Sequence, residues 1–330
     1  KSLEELIEKC KIDTDKWEIT KYVQNYWGNA DQPHYQVKAW LGKKKEEQVF
    51  QDSFVAFLST YEPCSQQIVA PSFEVGKKDA CLIINKQDSH LNKLDIQGDN
   101  DINDRFNTFI DKVEIILNQA SLANNLQNIK YIIGSDEFNS EFTNTTTKGT
   151  PQQNILSYHT AFQLICEHEV SVINLLLKKG QEVDVIFVAG NHDTSIEKRL
   201  VTPADFVCNG IYYLENASIQ IEGLNIWGTP ITPTFGVGWA WNRDRGKMNK
   251  LWESIPEDTD IVVSHGPPKG VLDLSYNRKN ELEYCGCSAM KKNMLKLKPK
   301  AVLFGHIHNF EDITNAGTMK VYGCHTIFSN

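Results

Sequence analysis

With 330 residues, 41% hydrophobic and 23% charged, the chain has the balance of an ordinary globular protein and the length for one large domain or two smaller ones. Its longest apolar runs, such as residues 185–189, fall far short of the roughly 20 residues that span a bilayer. A net charge of −8 disfavours broad non-specific binding to nucleic acid, and eight scattered Cys without a C-x-x-C pair give neither a zinc ribbon nor a disulfide framework.

Residues 1–48 read as a small α+β module. Ser2 followed by Glu5 forms a capping box ahead of a helix that lines up Leu3, Leu6, Ile7 and Cys10. Tyr35, Val37, Ala39 and Leu41 alternate with Gln36, Lys38 and Trp40 as in a strand, and the turn residues at 28–33 predict a hairpin. The module's aromatic and lysine content makes it a candidate for partner or nucleic-acid binding, weighed against a small core with a solvated edge. A helix from Lys43 through Leu58 and a linker at 61–78 fill most of the segment 49–78.

The main domain, 79–330, alternates strands with helices. Buried strands are expected at 81–84, 131–133, 185–188, 261–263 and 302–304. Helical spacing runs from Phe106 to Leu117, from about Gln153 to Lys179 with a stop at Gly180, and over 287–297. Residues 219–222 and 224–227, broken at Gly223, predict a hairpin, and two βαβ-like halves predict a layered α/β sandwich.

Each expected strand ends on a metal-ligand residue type. Asp88 and His90 follow the first, Asp136 the second, Asn191 the third, His265 the fourth, and His306 with His308 the fifth. Ligand sites of open α/β sheets gather beyond the carboxyl ends of strands, so five such endings describe one site. Residues i and i+2 of an extended segment share a side, which brings the pairs Asp88/His90 and His306/His308 to one centre. The donors are oxygen and nitrogen with no thiolate, a set for hard-to-borderline divalent ions. His192 and Asp193 follow Asn191 in the same turn, with His192 reaching for substrate and Asp193 holding its tautomer.

In this order, Asp88-Ser89-His90, Ser135-Asp136, Gly190-Asn191-His192-Asp193, the lone His265 and Gly305-His306-Ile307-His308 resemble the calcineurin-like metallophosphoesterase superfamily over about residues 79–330. The resemblance implies a four-layer αββα sandwich with a dimetal centre between its sheets. Asp88, His90 and His308 would hold one ion, Asn191, His265 and His306 the other, with Asp136 bridging. His192 would meet the phosphate or leaving group, oriented by Asp193. Residues 227–230, 239–242, 265–268 and 286–287 are similar to the compact cyclic-nucleotide-phosphodiesterase-like branch. Residues 1–60 and 145–151 are similar to phage-encoded, exonuclease-like members.

The expected activity is therefore hydrolysis of a nucleotide-type phosphodiester by in-line attack of a hydroxide shared between two divalent ions, Mn²⁺ foremost and Fe or Zn as alternates. A DNA exonuclease or endonuclease is the rival within the family, and a non-catalytic scaffold the rival outside catalysis. Arg243 and Arg245 are candidates to grip a phosphate, with pairing to Asp244 the alternative. Trp239 and Trp241 are candidates to stack a base, with core packing favoured for at least one. Residues 145–148 are candidates to line a phosphate backbone, with a solvated loop the favoured alternative. His325 is a candidate partner behind a ligand, whereas His159 and His168 are read as packing or surface residues. No membrane partner is expected, and reduced cysteines place the protein in the cytoplasm, that of the host for a phage-encoded chain.

Overall fold

A computed structural model of the chain describes residues 2–14, 17–29, 32–43, 56, 59–60, 71–94, 101–134, 136–140, 152–199, 201–202, 204, 207–277, 279–309 and 312–330. The chain divides into two compact units, Lys1–Ser65 and Gln66–Asn330. In the first, α1 (Leu3–Cys10) begins where the Ser2 hydroxyl accepts the Glu5 amide at 3.3 Å, the predicted cap. Strands β1 (Trp17–Asn29) and β2 (Gln32–Lys43) form the predicted antiparallel hairpin, with pairing that continues to Asn29 and Gln32 and so leaves a shorter turn than 28–33. The helix expected from Lys43 to Leu58 and most of the linker lie outside the described residues.

The second unit opens with β3 (Lys78–Gln87), α2 (Ile102–Ala123), β4 (Asn124–Gly134), α3 (Tyr158–Leu177), β5 (Glu182–Phe187), α4 (Thr194–Glu197) and β6 (Ile211–Tyr213). Strands β3 to β6 make a four-stranded sheet in sequence order, every pair parallel. Then come β7 (Ala217–Ile221), β8 (Leu224–Thr229), β9 (Thr232–Pro233), β10 (Asn242–Arg243), α5 (Met248–Glu253), β11 (Ile261–Ser264), β12 (Leu274–Tyr276), β13 (Leu282–Tyr284), α6 (Ser288–Leu297), β14 (Ala301–Leu303), β15 (Thr318–Lys320) and β16 (Ile327–Ser329). The second sheet is mixed, in the order β15-β16-β14-β11-β8-β7, with antiparallel edges around a parallel centre. The β7–β8 hairpin turns at Glu222 and Gly223, both at positive φ, which a two-residue turn of this hand requires.

Strand alternation assigns the layers. Tyr131 and Val185 pack with Phe106, Val113 and Leu117 of α2 and Val172 and Leu176 of α3. Their neighbours Ile132 and Ile186 face Ile226, Ile261, Val263 and Leu303 of the other sheet. Trp227, Val262 and Val302 point the opposite way, onto Met248 and Trp252 of α5 and Met290 and Met294 of α6. The result is the expected αββα sandwich, since residues one apart on a strand serve different cores.

The structure departs from expectation at the start of α3 and adds two buried lysines. α3 starts at Tyr158, five residues later than periodicity implies, because Ser157 caps it and Asn154 is taken up in a bridge with Lys93. Lys86 and Lys130, which interrupt strand patterns with charge, are buried. Lys130 Nζ meets Asp184 at 2.5 Å and Glu222 at 2.6 Å, tying β4 and β5 to the β7–β8 turn. No helix among the described residues is long and apolar enough to cross a membrane.

Candidate metal centre

The loops leaving β3, β4, β5, β11 and β14 meet at one edge of the sandwich and bring all seven candidate ligands together there. Three overlapping sets have donor atoms within 4.8 Å of one another: Asp88, His90 and His308; His90, Asp136 and His192; and Asp88, Asp136 and His265. Asn191 joins them through its side-chain oxygen, 2.7 Å from His265 Nε2, and Asp136 Oδ2 lies 3.4 Å from the same nitrogen. The His265 and His306 rings are 4.6 Å apart, and His90 stands 4.8 Å from His308 and 4.9 Å from His192.

Backbone strain concentrates here. Asp88, His90, Asp136 and His306 all adopt positive φ, a conformation that non-glycine residues rarely take and that clusters at functional sites. Asp88 Oδ2 accepts the amide proton of His306, so the loops after β3 and β14 are clasped. Gly305 is required by that clasp, because a Cβ there would lie 1.8 Å from Asp88 Oδ2. The His90 amide donates to the Asp136 carbonyl at 3.0 Å and the His192 amide to Asp136 Oδ1 at 2.9 Å, which ties three ligand loops to one carboxylate residue.

Burial sets the protonation states. It lowers His90 and His265 well below the usual imidazole range, helped by neighbouring imidazoles, and takes His306 to about 3 and His192 to about 4. It pushes the Asp136 carboxyl well up and that of Asp88 to about 8. Neutral imidazoles are ready to donate lone pairs, and the two carboxyls would release protons to a cation. Asp88 Oδ1 is buried with no hydrogen-bond partner. An unsatisfied carboxylate oxygen among imidazoles and an Asn oxygen fits a divalent cation in chemistry as well as in spacing.

Other expected site residues have different employment. Asp193 Oδ2 accepts the Gly190 amide at 2.6 Å and closes its own turn, while the His192 ring donates to the Asn139 carbonyl. Arg243 pairs with Glu197 at 2.9 Å, and Arg245 donates to the carbonyls of Gly286 and Cys285 at 3.2 and 3.0 Å. Both guanidiniums brace loops in this structure. Trp241 is buried in the core, whereas Trp239 stands edge-on to His192 at 4.8 Å, so the two tryptophans divide core and site between them. His325 is exposed, which removes it as a partner behind a ligand. His168 stacks on Phe106 at 3.8 Å, a packing role. The His159 side chain and residues 145–148 lie outside the described residues.

Three contributors were missed from sequence. Phe235 faces His306 at 4.6 Å and forms an aromatic wall with Trp239. Asn139 supplies the carbonyl at His192. Lys86, two residues before Asp88, lies between Glu137, at 2.5 Å, and Glu169, and Glu137 also accepts the Ser89 hydroxyl at 3.1 Å. The available signal was the Asn85-Lys86-Gln87 segment that leads into Asp88.

Two facing sheets with histidines, carboxylates and an asparagine at one edge define an αββα sandwich with a candidate metal centre. Residues 93–310 match the family model for calcineurin-like phosphoesterases, and the chain belongs to that family. The match begins after Asp88 and His90, which geometry alone brings to the centre. The chain is similar to human metallophosphoesterase domain-containing protein 1, 28% identical over 159 residues, covering 40% of this chain and 47% of that one. It is also similar to UPF0046 protein T07D4.2 of Caenorhabditis elegans, 33% identical over 126 residues, 38% of this chain and 30% of that one. A probable rhamnogalacturonate lyase C of Emericella nidulans is 33% identical over 135 residues, 37% of this chain and 12% of that one. The chain thus spans about half or less of the length of these curated relatives.

Proposed function

We propose that this chain is a dimetal-dependent phosphodiesterase acting on a nucleotide-type phosphodiester. One observation carries the reading: the buried Asp88 Oδ1 has no hydrogen-bond partner yet faces a ring of neutral imidazoles. Asp88, His90 and His308 would hold one cation, Asn191, His265 and His306 the second, and Asp136 stands within reach of both groups. When bound, two such ions lower the pKa of water toward neutrality and offset charge on the phosphoryl oxygens. Mn²⁺ is the proposed ion, with Fe or Zn as alternates, because the donor set accepts all three.

The chain's own residues supply the rest. The Asn139 carbonyl fixes the His192 ring by accepting one N–H, which leaves its other nitrogen free to approach the phosphate. A bound phosphate raises the pKa of that imidazole from its depressed value, and His192 can then pass a proton to the departing oxygen. Phe235 and Trp239 flank the centre and can stack a base, which favours a nucleotide over a simple phosphomonoester.

The test is turnover of bis-p-nitrophenyl phosphate with Mn²⁺, abolished by chelator and restored by the ion. Absence of turnover with Mn²⁺, Fe²⁺ or Zn²⁺ would leave a non-catalytic scaffold. Trp239→Ala is expected to raise KM for 2′,3′- or 3′,5′-cyclic nucleotides while leaving bis-p-nitrophenyl phosphate unaffected.

A further inference from the structure

We propose that a cationic cavity formed by Lys269, Tyr284, Ser288, Lys291 and Lys292 is an accessory subsite for the flanking phosphates of an extended single-stranded oligonucleotide. The inference rests on the phosphodiesterase reading above and names its substrate class.

The cavity measures about 640 Å³ and three of its lining residues are lysines. Among the described residues none of the three pairs with a carboxylate, although the chain as a whole carries a net charge of −8. Lys291 reaches across the cavity wall, its Nζ 3.0 Å from where a Cβ on Gly270 would stand. Three like charges gathered on one concave surface repel one another unless an anion joins them. Glu283 does not neutralise them, because strand alternation sends it to the face of β13 opposite Tyr284. The Tyr284 ring is half exposed and offers a stacking surface beside the lysines.

Topology places this cavity on the same edge as the metal centre. β11 and β14 are parallel neighbours, so the crossover through α6 starts at the carboxyl end of β11, where His265 lies, and returns along the helix. Lys291 and Lys292 occupy the amino-terminal half of α6 and therefore sit at that edge. Lys269 is four residues from His265, a separation of at most about 14 Å. At a rise of about 3.4 Å per stacked nucleotide, a strand of up to about four nucleotides covers that distance. The loop is held rigidly: the Cys287 amide donates to the Pro267 carbonyl at 2.9 Å, the Lys269 amide to the Cys287 carbonyl at 3.1 Å, and Arg245 to Gly286 and Cys285.

The experiment compares the full chain with a Lys269→Gln, Lys291→Gln, Lys292→Gln triple variant, using Mn²⁺, bis-p-nitrophenyl phosphate and a labelled twelve-nucleotide oligo-dT. Expected is a rise in oligonucleotide KM of about tenfold or more, a salt dependence shallower by about 0.7 per lysine removed, and unchanged turnover of the small diester. The corresponding Lys→Arg variant should restore the oligonucleotide KM. An oligonucleotide KM indifferent to the triple change, or a wild-type chain that hydrolyses the small diester but neither cleaves nor binds the strand, would overturn the subsite. If the small diester itself is not hydrolysed, the phosphodiesterase reading fails. Anisotropy of the labelled strand in chelator then decides the subsite separately: weaker binding by the variant supports it, and equal binding or none overturns it.

Discussion

Asp88 divides its two oxygens between different tasks, one accepting the His306 amide and the other buried without a hydrogen bond. Gly305→Ala would force a Cβ into that carboxylate, so the purified variant should hold fewer than two equivalents of metal by elemental analysis; two full equivalents would show that the clasp is dispensable. His192→Ala should retain its metal yet lose about 10²–10⁴ in kcat on substrates with poor leaving groups, and equal rates would remove His192 from proton transfer. The seven candidate ligands were legible in the sequence because five expected strands each end on a metal-ligand residue type and so share one edge. Their partners were less so. The group beside the His192 ring is a backbone carbonyl, which every residue type carries, and nothing in the letters distinguishes the one at Asn139. Arg243 and Arg245 read as phosphate ligands for the converse reason: a guanidinium serves a carbonyl or a carboxylate as readily as a phosphate, and only spatial neighbours decide.

At the scale of elements, period-2 alternation disclosed the strands and which faces would be apolar, as Tyr131/Ile132 and Ile261/Val262 illustrate. It could not account for Lys86, because the carboxylates that receive it come from the loop after β4 and from α3, 51 and 83 residues away. Lys86→Met leaves the buried Glu137 and the partly buried Glu169 facing each other without a cation. Urea denaturation should show a loss of about 3–5 kcal/mol, and a variant as stable as the parent would mean that the pair simply takes up protons. The late start of α3 has the same origin: Asn154 finds a partner in Lys93 on a distant loop, and the side-chain oxygen of Ser157 supplies the cap that ends the extended segment.

For the molecule as a whole, the buried centre ties stability to pH. Unfolded imidazoles take up protons near 6.5, while folded His192 and His306 do so only at about 4 and 3, so the unfolded chain binds more protons in that window. Stability of the cation-free protein therefore falls as pH drops below about 6.5. Asp88 acts in the opposite direction: its folded carboxyl keeps a proton up to about 8, whereas the unfolded one loses it near 3.8, and stability falls as pH rises toward 8. The Tm in chelator should peak between these limbs, near pH 6.5, and Mn²⁺ should move the peak upward by displacing the carboxyl protons. A chelated Tm that climbs steadily from pH 6 to 9 would contradict this account. Sequence alone determined the sandwich and its ligand types, because apolar periodicity and strand-end chemistry are local properties carried by consecutive residues. Tertiary structure alone decided the clasp between Asp88 and His306, the burial of Lys86 and the gathering of Lys269, Lys291 and Lys292. Each of these depends on backbone paths that bring residues from different loops and elements within a few ångströms, and burial then fixes what charge each can carry.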